Sequence, residues 1–237
     1  MQKIILLIMF ITMCVKADAL QVIKPDTLNK TESNIITIAS LTAKGDLVRL
    51  KTALNNGLEA GLTINQIKEI LVHTYAYCGF PRSIRALQTF MEVLDGRKLS
   101  GIKDNLGLDA SPIEKAGTKY ARGKEILSEL TKTPPTEKLS GYGAFAPTID
   151  TFLKEHLFAD LFERDVLSYK QRELVTIAVI ATIGEAEPML QSHFAICLNL
   201  GFTKDNLKTF TSLIRNTAGE AREVEANRVL EKITNAH

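Results

Sequence analysis

His193 is the residue of this sequence best suited to proton transfer. Glu173 begins the preceding segment, so a helical hairpin would bring either Glu173 or Glu185 within reach of the imidazole. A buried imidazole beside a carboxylate can carry a proton near neutral pH. We therefore predict His193 and Glu173 as catalytic residues. At helical spacing, His193 falls among apolar residues, namely Met189, Leu190, Ile196, Cys197 and Leu200.

Both residues also have a purely structural interpretation. A histidine on an apolar helix face is often simply buried and bonded to a carbonyl group. A glutamate in the first turn of a helix is favoured by the helix dipole and is usually solvated.

Two cysteines outside the amino-terminal segment, Cys78 and Cys197, are candidate redox residues. Cys197 follows His193 by one helical turn, so the imidazole could activate its thiolate. The alternative is a small buried apolar side chain, the usual state of a free cysteine. Cys78 lies at a predicted helix end beside Gly79, where a redox role is also conceivable. The two cysteines occupy different positions within their repeats, so a disulfide between them is not assumed.

Two further residues are candidates for binding a substrate. Arg82 follows Pro81 in the first turn of a predicted helix, where its guanidinium could hold a carboxylate by two hydrogen bonds. Solvation at the surface is the commoner fate of such an arginine. Tyr77 would line a pocket, with core packing as its alternative. His73 lies off the apolar stripe of the same helix and is expected to be partly exposed.

These candidates belong to two copies of one sequence pattern. Residues 35–45 align with residues 174–184, and residues 54–63 align with residues 194–203 after a one-residue gap. An internal repeat of this kind fixes the architecture, because each copy must form the same unit. The position aligned with His193 is Ala53, so the first copy is predicted to have lost this chemistry and kept the scaffold.

Each copy is predicted to form a helical hairpin followed by further helix. Residues 63–66 and 168–171 have the form of capping boxes, which place helix starts near Ile64 and Tyr169. Residues 174–183 leave no polar face. A buried strand is the alternative there, but the length and the cap favour a buried helix. Pro188 suits the first turn of the next helix and Gly201 suits its end.

The order of these elements resembles the carboxymuconolactone decarboxylase family, within the alkylhydroperoxidase D-like superfamily. The resemblance rests on the helix with a central histidine, the Gly-hydrophobic-Thr that follows, and the run Tyr-Cys-Gly-Phe-Pro-Arg-Ser at residues 77–83. It covers residues 35–95 and 150–216, as in a tandem two-copy member. It implies an all-α fold of two pseudo-symmetric multi-helix units, an active-site histidine at His193, and a homo-oligomer, a trimer of tandem chains.

One departure from the family pattern concerns peroxidase chemistry. Thiol-dependent members carry Cys-x-x-Cys with a histidine four residues after the second cysteine, and here Ala186 and Met189 occupy those two positions. Peroxiredoxin activity by that route therefore does not transfer. The motif shared around Cys78 also places this residue in a pocket wall or a turn.

Composition excludes several other classes of function. The net charge of +2 with mixed signs gives no nucleic-acid footprint. There is no zinc-type spacing and no phosphate-binding loop, so we expect no metal and no cofactor. Residues 1–19 have the charge, apolar core and small-x-small end of a signal peptide, which predicts a periplasmic or secreted protein with no membrane contact after cleavage. Lipidation at Cys14 and a membrane anchor are the alternatives.

The domain organisation follows from the repeat. Residues 35–95 form the first, degenerate repeat and residues 150–216 the second. Residues 96–149 are a connecting segment rich in glycine and proline, with a short helix expected near residues 119–130, and residues 217–237 form a carboxyl-terminal helix. A connection of this length should pack along the surface or border the active site.

Three functions remain open from the sequence. The first is a cofactor-independent lyase or isomerase acting on a small carboxylated lactone or keto acid, with His193 moving a proton and Glu173 assisting. The second is a thiol antioxidant using Cys78 or Cys197. The third is a non-catalytic exported binding or scaffold protein.

Overall fold

A computed structural model describes residues 27–235, and every regular element within that range is helical. The all-α fold predicted from the sequence is confirmed. Ten α-helices and one π-helical segment, Leu153–Leu161, make up this part of the chain. The α-helices are α1 Lys30–Lys44, α2 Leu47–Glu59, α3 Ile64–Leu99, α4 Lys119–Thr131, α5 Gly141–Phe145, α6 Pro147–Phe152, α7 Tyr169–Ile183, α8 Glu187–Asn199, α9 Lys204–Ala218 and α10 Glu220–Thr234.

The two sequence copies fold into the same succession of helices. Helices α1, α2 and α3 of the first copy correspond to α7, α8 and the pair α9 and α10 of the second. Helix α3 consists of two helical stretches joined by a kink at Gly79, whose backbone is not helical, and this is where the sequence predicted one helix to end and the next to begin. Gly79 has φ +79°, and Gly219, between α9 and α10, has φ +112°. Both bends thus use the left-handed backbone region, which glycine enters without steric cost.

The central pair of helices, α1 and α7, packs together between the two copies. Each starts at a capping box: Ser168 accepts from the Gln171 N–H and Gln171 accepts from the Ser168 N–H, and Asn29 with Glu32 repeats the arrangement. Ten consecutive residues of α7, from Arg172 to Ala181, are buried. The absence of a polar face therefore marks a helix surrounded by protein, not a strand.

Helix α4 of the connecting segment and residues of the second repeat form a second, smaller core beside the first. Helix α4 packs on the π-helical segment, and Gly123 allows the approach, since a Cβ there would lie 1.8 Å from the Lys154 carbonyl oxygen. The Ile64 N–H donates to the Asn105 carbonyl, which ties the segment to the start of α3. The connection thus packs against the start of α3. The buried members of this core are Ile126, Leu130, Leu157, Phe158, Leu161, Phe162 and Ile196.

The prediction of export rests on the amino-terminal segment of the chain. The predicted signal peptide, residues 1–19, lies outside the described residues. Within residues 27–235, none of the helices has the length and apolar content needed to cross a bilayer.

The packing of α7 predicts where stability is concentrated. Ile177 is fully buried at the contact between the copies. Ile177→Ala should lower the free energy of unfolding by about 2–5 kcal/mol, because it removes buried methyl groups and leaves a cavity. Val224→Ala, at a site that is 60% exposed on α10, should change it by no more than about 0.5 kcal/mol. Urea denaturation measures both, and equal effects of the two substitutions would contradict the central place of α7.

Candidate active site

The structure brings Glu173 and His193 into direct contact. His193 Nδ1 lies 2.8 Å from Glu173 Oε2, joining the second turn of α7 to the middle of α8. Glu173 is fully buried, so the solvated first-turn glutamate considered from the sequence is not what the fold contains. Glu185 has an exposed side chain near Arg222 and is not the partner of the imidazole. The antiparallel hairpin therefore selects Glu173.

This contact determines which nitrogen of the His193 imidazole carries the hydrogen. A carboxylate only accepts hydrogen bonds, so Nδ1 must donate its hydrogen to Glu173. In the neutral imidazole, Nε2 is then a free base. The His193 side chain is 14% exposed, whereas that of Glu173 has no exposed surface. The other carboxylate oxygen, Oε1, has no hydrogen-bond partner among the described residues.

A buried ion cluster lies beside this pair. Arg172, fully buried, donates from Nη2 to Glu69 Oε1 at 2.8 Å and to the Arg164 carbonyl at 2.6 Å. Arg164 donates to both oxygens of Glu69 at 2.9 to 3.1 Å. Burial lowers the pKa of Arg172, and the bond to Glu69 opposes that effect. A guanidinium inside a protein requires such a partner, because an unpaired buried charge costs several kcal/mol.

His73 is part of the same buried network. Arg172 Nη1 lies 3.2 Å from His73 Nδ1, and His73 Nε2 lies 3.0 Å from Thr176 Oγ1. Burial first, and then the positive charge of Arg172, hold the pKa of His73 well below its usual value. The expectation that His73 is partly exposed was wrong, because α3 is covered on two sides. One side of α3 packs against α1 and α2 of the first copy, and the other side faces α7 and Phe162.

Tyr77 lies next to the His193 pair. Its hydroxyl accepts a hydrogen bond from Thr176 Oγ1 at 3.0 Å, and its ring meets the His193 ring edge-on, with centroids 6.2 Å apart. Burial raises the pKa of Tyr77, and the charge of Glu173 raises it further, so the phenol keeps its proton. The structure therefore groups three of the predicted residues, Tyr77, Glu173 and His193.

Neither cysteine is an activated thiolate within this polar cluster. Cys197 is fully buried in the main core, and burial raises its pKa well above the usual range. Cys78 is half-buried, donates from Sγ to the Thr74 carbonyl at 3.1 Å, and has its pKa raised by burial to about 11. Both are free cysteines. These pKa values argue against an activated thiolate at neutral pH.

Arg82 lies at a helix end and not at the pair. Its side chain is exposed, and its guanidinium lies against Gly45 so closely that a Cβ there would meet Nη1 at 1.5 Å. The aligned residue of the second copy, Arg222, lies in the same way against Gly184 and donates to the Ile183 carbonyl. A cation at the carboxyl end of a helix is favourable. This repeated placement accounts for Arg82, and its role with a substrate stays a prediction.

The sequence contained two signals for the residues that were missed. Glu69, His73 and Tyr77 are spaced i, i+4 and i+8, which puts three polar side chains on one face of α3. Arg172 opens a segment that is otherwise apolar on all sides, and a charge in such a segment must find a buried partner. Neither signal identifies the buried partner of Arg172, which lies about a hundred positions away in the sequence.

The depressed pKa of His73 predicts an acid-sensitive stability. The folded protein keeps this imidazole neutral, whereas the unfolded chain takes up a proton below about pH 6.5, so stability must fall as the pH falls. His73→Gln, which can still accept from Arg172 and donate to Thr176, removes this term. From about pH 7.5 to 5.5, wild type should lose about 1.4 kcal/mol more than His73→Gln.

Chemical denaturation at a series of pH values measures this difference. The exposed substitution Val48→Ala adds and removes no titrating group, so its profile should run parallel to that of wild type. If the His73→Gln profile also runs parallel to wild type, His73 titrates alike in the folded and unfolded chains and the assignment is wrong.

Comparison with known proteins agrees with the fold and with the repeat. A model of the carboxymuconolactone decarboxylase family matches residues 15–91 and 147–232. A 4-carboxymuconolactone decarboxylase of Acinetobacter baylyi (strain ATCC 33305 / BD413 / ADP1) is 32% identical over 91 residues, which cover 38% of this chain and 67% of that protein. The resemblance seen in the sequence is thereby confirmed. The chain belongs to the carboxymuconolactone decarboxylase family, and it carries the family's unit twice in tandem.

Proposed function

We propose that this protein is a lyase or isomerase that moves a proton at a carbon next to a carbonyl or lactone group, without a cofactor. The substrate class is a small carboxylated lactone or keto acid. The observation that carries the proposal is the 2.8 Å contact between His193 and the fully buried Glu173. A carboxylate that orients an imidazole and stabilises its charged form is what general acid–base catalysis requires.

The chemistry starts at His193 Nε2. This nitrogen takes a proton from the carbon beside the carbonyl, the C–H electron pair becomes an enolate, and the imidazolium is stabilised through Nδ1–H by Glu173. Return of the proton to another carbon gives an isomer. In the lyase variant, the bond from the carbon to its carboxylate breaks, carbon dioxide leaves, and a protonated His193 supplies the proton that the enolate carbon takes up.

The similarity to the Acinetobacter protein supports the choice of substrate. That relative is named as a 4-carboxymuconolactone decarboxylase. We propose the same reaction type here, on a substrate that carries a carboxylate beside a lactone or ketone. Export to the periplasm or the medium, from the segment at residues 1–19, and a trimer of tandem chains remain parts of this proposal. Light scattering on the purified protein tests the trimer.

The proposal predicts that proton exchange at carbon depends on His193. The purified protein is incubated in D₂O with 4-carboxymuconolactone and with a panel of lactones and keto acids, and deuterium entry at carbon is followed by NMR. His193→Gln and Glu173→Gln should each slow exchange by at least about 100-fold, because each removes part of the general base. Circular dichroism checks that both variants are folded.

The matched control tests the thiol alternative. Cys78→Ser combined with Cys197→Ser should leave exchange unchanged. Loss of a peroxide-consuming activity in that variant would instead support the antioxidant function. A wild type that exchanges no proton and consumes no peroxide would leave the binding or scaffold function.

A further inference from the structure

The first repeat contributes polar groups to the site of the second. Glu69, His73 and Tyr77 project from one face of α3 toward α7, where Arg172 and Thr176 meet them. The repeat that lacks a counterpart of His193 is therefore more than a scaffold at this interface.

The tandem fold supplies an internal comparison for this cluster. Helices α9 and α1 pack together as α3 and α7 do. There, the equivalent positions hold neutral groups, and Thr217 bonds Ser40 at 2.7 Å. Packing of the two units thus does not require ionisable residues at these positions. The aligned positions pair as follows: Thr209 with Glu69, Leu213 with His73, Thr217 with Tyr77, Ser33 with Arg172, Asn34 with Glu173, and Ala53 with His193.

The donor and acceptor capacities of Arg172 and His73 determine which group donates each hydrogen bond in the α3–α7 network. Arginine only donates, so His73 Nδ1 accepts from Arg172 and the hydrogen of the neutral imidazole is on Nε2. His73 Nε2 therefore donates a hydrogen bond to Thr176 Oγ1, and the Thr176 hydroxyl donates a hydrogen bond to the Tyr77 oxygen. The Tyr77 hydroxyl accepts at this end, so its hydrogen is left to donate elsewhere.

The Tyr77 ring is next to the His193 pair, and we take that site as the place where its hydroxyl can donate. The Tyr77 ring stands edge-on to His193 at 6.2 Å. A donor that itself accepts a hydrogen bond is strengthened, because bonds in a chain polarise one another. The phenol beside His193 is thus a neutral, oriented donor with no negative charge to repel an anion.

We propose that Tyr77 of the first repeat is the catalytic hydrogen-bond donor to the substrate carbonyl oxygen, which becomes negative as His193 removes the carbon proton. His73 and Thr176 are positioning residues that orient the Tyr77 hydroxyl. The phenol proton stays on Tyr77, the C–H proton moves to His193, and the electron pair moves to the enolate oxygen. This inference rests on the proposed function and adds to it the half of the site that the first repeat provides.

The experiment compares four variants in the deuterium-exchange assay, using the substrate of the panel that wild type exchanges fastest. Tyr77→Phe removes only the hydroxyl and should lower kcat by about 100-fold, the effect of losing one oxyanion donor, with KM changed less than about threefold. Thr176→Val should lower kcat by about tenfold, and Thr176→Ser, which restores a hydroxyl, should recover most of it.

The matched control is the aligned threonine of the first copy. Thr37 donates to the Ser33 carbonyl at 2.8 Å and touches none of the cluster residues by hydrogen bond. Thr37→Val makes the same chemical change on the opposite central helix, and it should leave kcat within about twofold of wild type. Thermal unfolding of all four variants separates lost stability from lost catalysis, since a purely structural Thr176 would lower Tm and leave kcat unchanged.

The outcomes distinguish this inference from the proposed function. Loss of exchange in His193→Gln, together with a kcat within about twofold of wild type in Tyr77→Phe, would overturn the role of the first repeat alone. An impaired Tyr77→Phe with an unchanged kcat in Thr176→Val would overturn the positioning role of Thr176. A wild type without exchange on any substrate, or a His193→Gln variant as active as wild type, would overturn both. A fall in kcat for Tyr77→Phe and Thr176→Val, with recovery in Thr176→Ser, supports the inference.

Discussion

The buried guanidinium of Arg172 is the constraint on which the arrangement of this protein depends. Arg172 lies on a helix enclosed by both copies, with no exposed surface, so its charge must be met by protein groups. Within the second copy it finds the Arg164 carbonyl, and its carboxylate comes from Glu69 of the first. The ion pair therefore sets the register of α3 against α7, and with it the positions of His73 and Tyr77.

The two copies have diverged at this interface while their framework has stayed the same. Capping boxes, glycine bends and the arginines at the helix ends recur in both, because each serves the local folding of one unit. Within residues 27–235, the buried pairs of arginine, glutamate and histidine lie at the α3–α7 interface, and the aligned positions at the α1–α9 interface are neutral. Two arginines and two glutamates balance at the α3–α7 interface, and the exposed side chains are those of Arg164, at 41%, and His193, at 14%. The two interfaces thus share one framework, and the aligned positions carry charge at one of them and are neutral at the other.

The sequence predicted what local chemistry decides and missed what distant packing decides. The starts of α3 and α7 and the contact of Glu173 with His193 follow from caps and from one hairpin, so they could be derived. The burial of His73 depends on a helix that lies 103 positions away in the chain, and no local pattern encodes that contact. Arg82 was considered for a substrate, and the structure places it against the end of α1, as it places the aligned Arg222 against the end of α7.

The central claim is that Glu173 fixes the tautomer of His193 and leaves Nε2 as the base. The ¹⁵N spectrum of the imidazole nitrogens, recorded at a pH where His193 is neutral, tests this directly in wild type and in Glu173→Leu. The account predicts a hydrogen on Nδ1 and a bare Nε2 in wild type, and a change toward the Nε2–H form when the carboxylate is gone. A wild-type His193 that carries its hydrogen on Nε2, unchanged by Glu173→Leu, would contradict it.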